Sequence, residues 1–291
     1  MEHFVWDINP EIFTIGSFGP RYYGLMFAIG FLVSYRIVEV IWKREGKSVE
    51  SVSSLLVHVM VGTIVGARLG HCLFYDPGYY LSNPLEILYV WKGGLASHGG
   101  TMGVMVAVFL YCKKNPDQPY GWLADRLATT IPFGAACIRI GNFFNSEILG
   151  RPSDVPWAVV FKRIDNIPRH PAMLYEALSF LILFSILMLR YFKGPQIKPG
   201  SQIGLLLIWI FSSRIFLEFF KENQVAFEEG MILNMGQILS IPFVIVGVLL
   251  FTGAYQRFLP SGYDIKPATD GASGNSSSGS NGSKSQKKKR K

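Results

Sequence analysis

The stretch A-M-L-Y-E-A-L-S-F-L-I-L-F-S-I-L-M-L-R-Y, Ala172 to Tyr191, carries one acid and one late arginine in an otherwise almost wholly apolar run. At about 1.5 Å per residue, a helix of this length covers about 30 Å, the thickness of a bilayer's hydrocarbon core. Pro171 ahead of it suits a helix start. Working outward, further runs of similar length lie near Tyr22–Trp42, Val52–Tyr75, Leu95–Cys112, Trp122–Ile138, Ile203–Phe220 and Gly236–Tyr255. The run at Trp122–Ile138 is the weakest, because Asp125, Arg126 and Pro132 interrupt it. A composition of 49% hydrophobic and 16% charged residues exceeds the usual globular balance. These features predict an all-α polytopic membrane protein of about seven transmembrane helices, with a small extracytoplasmic head segment at about residues 139–170.

The formal net charge of +8 is spread over short loops and the tail Lys287–Lys291. That distribution follows membrane topology and argues against a nucleic-acid footprint. With seven spans, the basic segments 43–47, 113–117 and 190–198 and the tail fall on one face. The positive-inside rule puts that face in the cytoplasm and the N-terminus outside. The opening M-E-H-F-V-W-D-I-N-P has neither a basic n-region nor an apolar h-region, so it does not read as a cleavable signal peptide. Residues 1–259 form the membrane domain. Residues 260–291, rich in Ser, Gly and Asn and ending in lysines, are expected to be disordered, with the lysines against anionic lipid. Cys72, Cys112 and Cys137 lie in or beside apolar runs without CxxC or Cys/His spacing, so neither disulfide nor metal is expected.

Against this apolar background stands I-R-I-G-N-F-F-N-S-E-I-L-G-R, Ile138 to Arg151. Charge at membrane depth costs about 2.5 to 3.5 kcal/mol per residue on insertion scales and is rare without a role. Arg139 and Arg151 offer forked donors for phosphate. Asn142, Asn145 and Glu147 supply orienting hydrogen bonds, and Gly141 and Gly150 permit close backbone approach. The set suits an anionic lipid headgroup, and the alternative is a solvated head. Arg139, Arg151, Lys162, Arg163 and Arg169 keep positive charge on the outer side, against the topological trend.

His98, within G-G-L-A-S-H-G-G, is open to two readings: a packing residue, or a group that accepts a proton or orients a ligand. Arg214 and Glu218 are four apart, on one helix face, so they either tie helices together or present the arginine to an anion. Tyr22 and Tyr23 sit where tyrosines anchor at the interface. Arg36 and Glu39 snorkel or pair. Arg68 and His71 could line the same cavity as Arg139, with His170, Tyr175 and Glu176 supporting it.

The chain resembles the bacterial prolipoprotein diacylglyceryl transferase family. The resemblance rests on Arg139-x-Gly-Asn-Phe-x-Asn-x-Glu-x-x-Gly150, G-G-L-A-S-H-G-G (93–100) and R-H-P-A-M-L-Y-E (169–176), with Y-Y-G-L-M-F (22–27), R-x-x-x-E-F-F (214–220) and M-G-Q-I-L-S-I-P (235–242), in family order. It implies catalytic roles for Arg139, Arg214 and His98. It implies substrate contacts by Arg139, Tyr23, Asn142, Asn145, Glu147, Gly150 and Glu218. The implied reaction moves the diacylglyceryl group of phosphatidylglycerol to the lipobox cysteine thiol of a prolipoprotein signal peptide, forming a thioether and releasing glycerol 1-phosphate. It implies no metal, no cofactor and no nucleic acid, and a place in the bacterial cytoplasmic (inner) membrane. Two departures stand out: Ile138 replaces a usual Gly, and Lys221-Glu222-Asn223-Gln224 replaces R-x-P-D. An anion transporter and a non-catalytic lipid scaffold compete with this reading, although no internal repeat of the transporter kind is seen.

Overall fold

The computed structural model describes residues 3–14, 19–90, 93–194, 197–222 and 233–255. The expectations for the tail, and for Asn223 and Gln224, lie outside the described residues. The long helices are α1 (Tyr22–Arg44), α2 (Glu50–Phe74), α4 (Ser97–Lys114), the short α5 (Tyr120–Ala128) with α6 (Ile131–Asn145), α7 (Ala172–Lys193), α8 (Ser201–Leu217) and α9 (Met235–Thr252). Between α2 and α4 lie α3 (Pro77–Ser82) and a 3-10 turn at Pro84–Leu88.

On length and composition, five helices could cross a membrane: α1, α2, α7, α8 extended to Phe220, and α9. The α5/α6 pair, bent by 47°, makes a sixth if its halves are one span, so among the described residues five or six of the seven expected spans meet this test. The difference is α4. It opens on Ser97-His98-Gly99-Gly100-Thr101 and closes on Lys113-Lys114, leaving an apolar middle well short of the about 20 residues a span needs.

Neighbouring helices run antiparallel, and small residues let them touch. Gly62, Gly66 and Gly70 of α2 meet Gly99 and Gly103 of α4 so closely that a Cβ on any of them would enter the facing backbone. Gly204 of α8 meets Gly247 of α9 in the same way, and Phe211 stacks on Phe243 at 4.4 Å. Apolar side chains left exposed on α1, α2, α4 and α9 form the faces a bilayer would cover.

The polar interruption of the fourth run has a structural cause at one end of the bundle. Asp125 is buried, and its carboxylate accepts the N–H groups of Gly200 (2.7 Å), Gln202 (3.0 Å) and Ile203 (3.1 Å), capping α8 from a neighbouring helix. Arg126 donates to Glu45 through Nε and Nη2, each at 3.0 Å. Trp122 and Tyr191 also donate to Glu45. Pro132 falls in the first turn of α6, where its missing N–H costs nothing. The anticipated Arg36–Glu39 pair forms at 2.9 Å. Lys43, Arg44, Lys113, Lys114, Arg190 and Lys193 end α1, α4 and α7 at this same end.

At the other end lies the segment expected to form a head, residues 139–170. Residues through Asn145 belong to α6. Beyond them, β2 (Val159–Phe161) pairs parallel with β1 (Phe4–Trp6) and antiparallel with β3 (Pro168–Arg169). The N-terminal strand therefore belongs to the head. Phe143, Val159, Phe161 and Met173 form the apolar plug that fastens this sheet to α6 and α7. Within the head, Asp165 and Arg169 pair at 2.6 Å, and the guanidinium holds the Asp165 carboxyl below the usual carboxylate range.

Candidate functional site

The signature segment closes α6 in a Schellman arrangement. Ser146 takes a left-handed conformation (φ 56°), its N–H reaching Phe143 O, while Glu147 N–H reaches Asn142 O. Ile148 is also left-handed (φ 58°), an uncommon state for a β-branched residue that signals local strain. The effect is to fold Glu147 back over its own helix. Its oxygens accept from Asn142 Nδ2 (2.9 Å) and Asn145 Nδ2 (3.1 Å), and Asn142 Oδ1 accepts from Arg139 Nη1 (3.3 Å). Four predicted residues therefore form one hydrogen-bonded chain.

Arg139 also faces α7. Its Nε lies 2.8 Å from Glu176 Oε2, an oxygen that receives no aligned hydrogen bond, so the contact is one of charge. Glu176 Oε1 lies 2.8 Å from Lys221 Nζ, which stands 3.2 Å from Glu218 Oε2. Glu218 Oε1 accepts from Asn234 Nδ2 at 3.1 Å, and Asn234 with Gln237 forms the capping box of α9. The network thus joins α6, α7, the end of α8 and the start of α9. Glu176 (4% exposed) and Lys221 (6%) are buried, and burying such charges is costly unless they are paired. Arg139 and Lys221 face three carboxylates, Glu147, Glu176 and Glu218. Arg139 keeps part of its side chain exposed, and its Nη2 makes no hydrogen bond among the described residues. A guanidinium held at two points with a donor edge open is suited to an anionic group.

Tyr23 lies within electrostatic reach of Glu147 and Arg139, and Gly141 is where its ring and backbone press against α6. Gly150 is explained by packing: its N–H donates to His170 O, and a Cβ there would enter the His170 backbone. Lys221 is threaded alongside, bridged to Gly150, with its carbonyl accepting from Arg151 Nε at 2.8 Å. His170 and Tyr175 lie nearby, with His170 Nδ1 3.0 Å from Tyr175 Oη and Trp157 Nε1 donating to the same hydroxyl at 2.7 Å.

Two sequence expectations change, those for Arg214 with Glu218 and for Arg68. Arg214 and Glu218 do not pair: α8 ends at Leu217, the chain tightens into a 3-10 turn, and Glu218 turns to Lys221 and Asn234. Arg214 stays exposed in the last turn of α8, its guanidinium beside Gly236. Arg68 does not line a cavity with Arg139, because backbone carbonyls of the 86–94 segment take up its donors. His98 is exposed in the first turn of α4, at the same end of the bundle, and among the described residues no hydrogen bond or ion pair ties it to Arg139 or Glu176. The sequence reading missed Lys221 as a site residue and gave Glu176 only a supporting part. The signal was the i,i+3 spacing of Glu218 and Lys221. Among the described residues no group of three His, Cys, Asp or Glu side chains gathers to hold a metal.

The sequence model of the family described as prolipoprotein diacylglyceryl transferase matches residues 10–252. Proteins named phosphatidylglycerol–prolipoprotein diacylglyceryl transferase are similar over most of their length. The one from Chloroherpeton thalassium is 45% identical over 246 residues, covering 84% of this chain and 92% of that protein. The Tolumonas auensis protein is 43% identical over 245 residues, 84% and 95% respectively. The Bacteroides fragilis protein is 45% identical over 256 residues, 84% and 92%.

Proposed function

Because the chain belongs to the prolipoprotein diacylglyceryl transferase family, we propose that the polar cluster around Arg139 is where a diacylglyceryl group leaves phosphatidylglycerol for a prolipoprotein cysteine. The chain is a transferase of lipoprotein maturation, and its apolar helices make it a multi-pass membrane protein. The cysteine sulfur forms a bond to the glyceryl carbon, that carbon's bond to phosphate oxygen breaks, and glycerol 1-phosphate departs with the electron pair. The thiol proton must go to a base. The observation that carries the reading is Arg139, fixed by Glu176 and Asn142 with its Nη2 edge open. Arg139 stabilises the departing phosphate, and Arg214, exposed beside the start of α9, meets it from the other side. Asn145, Glu147 and Tyr23 line the headgroup, and Glu218 with Lys221 holds the far side of the network. Preorganised donors of this kind stabilise developing charge without reorganising. The partner is a signal peptide with a lipobox cysteine.

His98 is the proposed thiol base, brought to the sulfur only when the peptide lies between α4 and α6. His98→Gln is expected to slow transfer by about two decades at neutral pH, with partial recovery as pH rises past the thiol pKa of about 8.5. Parallel pH–rate profiles for variant and wild type would leave His98 an orienting residue.

We count α4 as the seventh span, since the glycine seam lays it along α2 for most of its length. The basic helix ends then face the cytoplasm of the bacterial inner membrane, and the N-terminus and residues 146–170 face outward. A membrane-impermeant thiol reagent on intact cells is expected to label a cysteine placed at Ser153 and not one at Lys287. The opposite pattern inverts the topology.

A further inference from the structure

We infer that Arg68 is a positioning residue for His98, an inference that rests on the reading of His98 as the thiol base. The His98 side chain is exposed, and among the described residues it makes no hydrogen bond or ion pair, so its backbone alone sets its place. That backbone is fixed on both sides by α2. On one side, Ala96 N–H donates to Ala67 O at 2.9 Å, and Ala96 O accepts from Gly100 N to start α4. On the other, Gly99 is pressed against Gly66 and Gly70. Between these contacts, on the same stretch of α2, Arg68 is buried (3% exposed).

Its guanidinium gathers the segment that leads into α4. Nη2 donates to Glu86 O (2.6 Å), Nε to Ile87 O (2.9 Å), and Nη1 to Gly93 O (2.6 Å) and Gly94 O (3.2 Å). The Tyr80 ring covers it at 5.0 Å. Gly93 and Gly94 are left-handed (φ 85° and 71°), which turns both carbonyls onto one nitrogen. A Cβ at Gly94 would sit 2.6 Å from the His71 ring and 2.9 Å from Arg68 Nη1, so the loop has no room to shift inward. Only a planar fork reaches two separate segments this way; an ammonium at the same depth reaches one. The clamp ends four residues before His98.

The test is a double-mutant cycle on the full-length enzyme, with phosphatidylglycerol vesicles and a lipobox peptide. Arg68→Lys is expected to lower kcat on the order of tenfold to a hundredfold, as a small misplacement of a reacting group does, with the phosphatidylglycerol KM nearly unchanged. In the His98→Gln background the same change is expected to cost less than about twofold, because the group it positions is gone. Gly94→Ala disturbs the same clamp from the loop side while keeping the arginine, and it is expected to show the same non-additivity. It carries the cycle if Arg68→Lys inserts poorly. Equal costs in both backgrounds, or a raised KM at unchanged kcat, would overturn the inference and leave the reading of His98 standing. Wild-type turnover in His98→Gln itself would overturn both.

Discussion

Arg139→Lys is expected to slow diacylglyceryl transfer by about a hundredfold at equal levels of inserted protein. Three parts of the guanidinium do different things in the structure: Nε faces Glu176, Nη1 donates to Asn142, and Nη2 is open. A lysine ammonium supplies the charge at one point and cannot hold both protein contacts while presenting a third donor. Losing one transition-state donor costs about 3 kcal/mol, and at about 1.4 kcal/mol per decade that is two decades in rate. The loss is expected chiefly in kcat, since the phosphate gains charge as it leaves. Steady-state kinetics with phosphatidylglycerol and a lipobox peptide measure it. Near wild-type kcat in Arg139→Lys would remove the phosphate role.

Glu176→Gln is expected to destabilise the fold and the site together. Glu176 stands between two cations, Arg139 and Lys221, and is itself 4% exposed. Breaking a buried pair by removing one partner typically costs about 3 to 5 kcal/mol, because the remaining charge is left uncompensated. Here two cations are affected. Lys221 retains Glu218, and Arg139 retains only a neutral acceptor, Asn142. Thermal unfolding in detergent or nanodiscs should therefore fall by several degrees. Transfer should fall even below the new melting point, since Arg139 loses its second anchor. Lys221→Arg, which keeps the cation and adds donors, serves as the control and should cost little. Unchanged melting and unchanged kcat in Glu176→Gln would mean that the network neither holds the helix ends nor orients Arg139.

Much of this was legible in the sequence, for reasons that can be named. Runs such as Ala172–Tyr191 show their destination because the bilayer imposes a length and a polarity on any helix that crosses it. Asn142, Asn145 and Glu147 were legible because helix spacing and a following turn bring nearby residues together, and Arg139 lies one turn before Asn142. The seam of Gly62, Gly66 and Gly70 against Gly99 and Gly103 was not anticipated, since glycine spacing along one helix does not name its partner.

What the sequence by itself determined is therefore local and solvent-driven: an apolar helical bundle, its basic and signature-bearing ends, and a polar turn closing α6. Tertiary structure alone decided which charges meet. Glu218 looked paired with Arg214 four residues away, yet the end of α8 at Leu217 handed it to Lys221 and Asn234. Glu176, Lys221 and Arg139 come from three separate segments, and the burial of Glu176 and Lys221 is acceptable only because these charges meet. Arg68 looked like a ligand-facing charge and became a clamp on carbonyls 18 to 26 residues away. A buried charge takes whichever partner the packed helices bring within about 3 Å, and only their packing makes that choice.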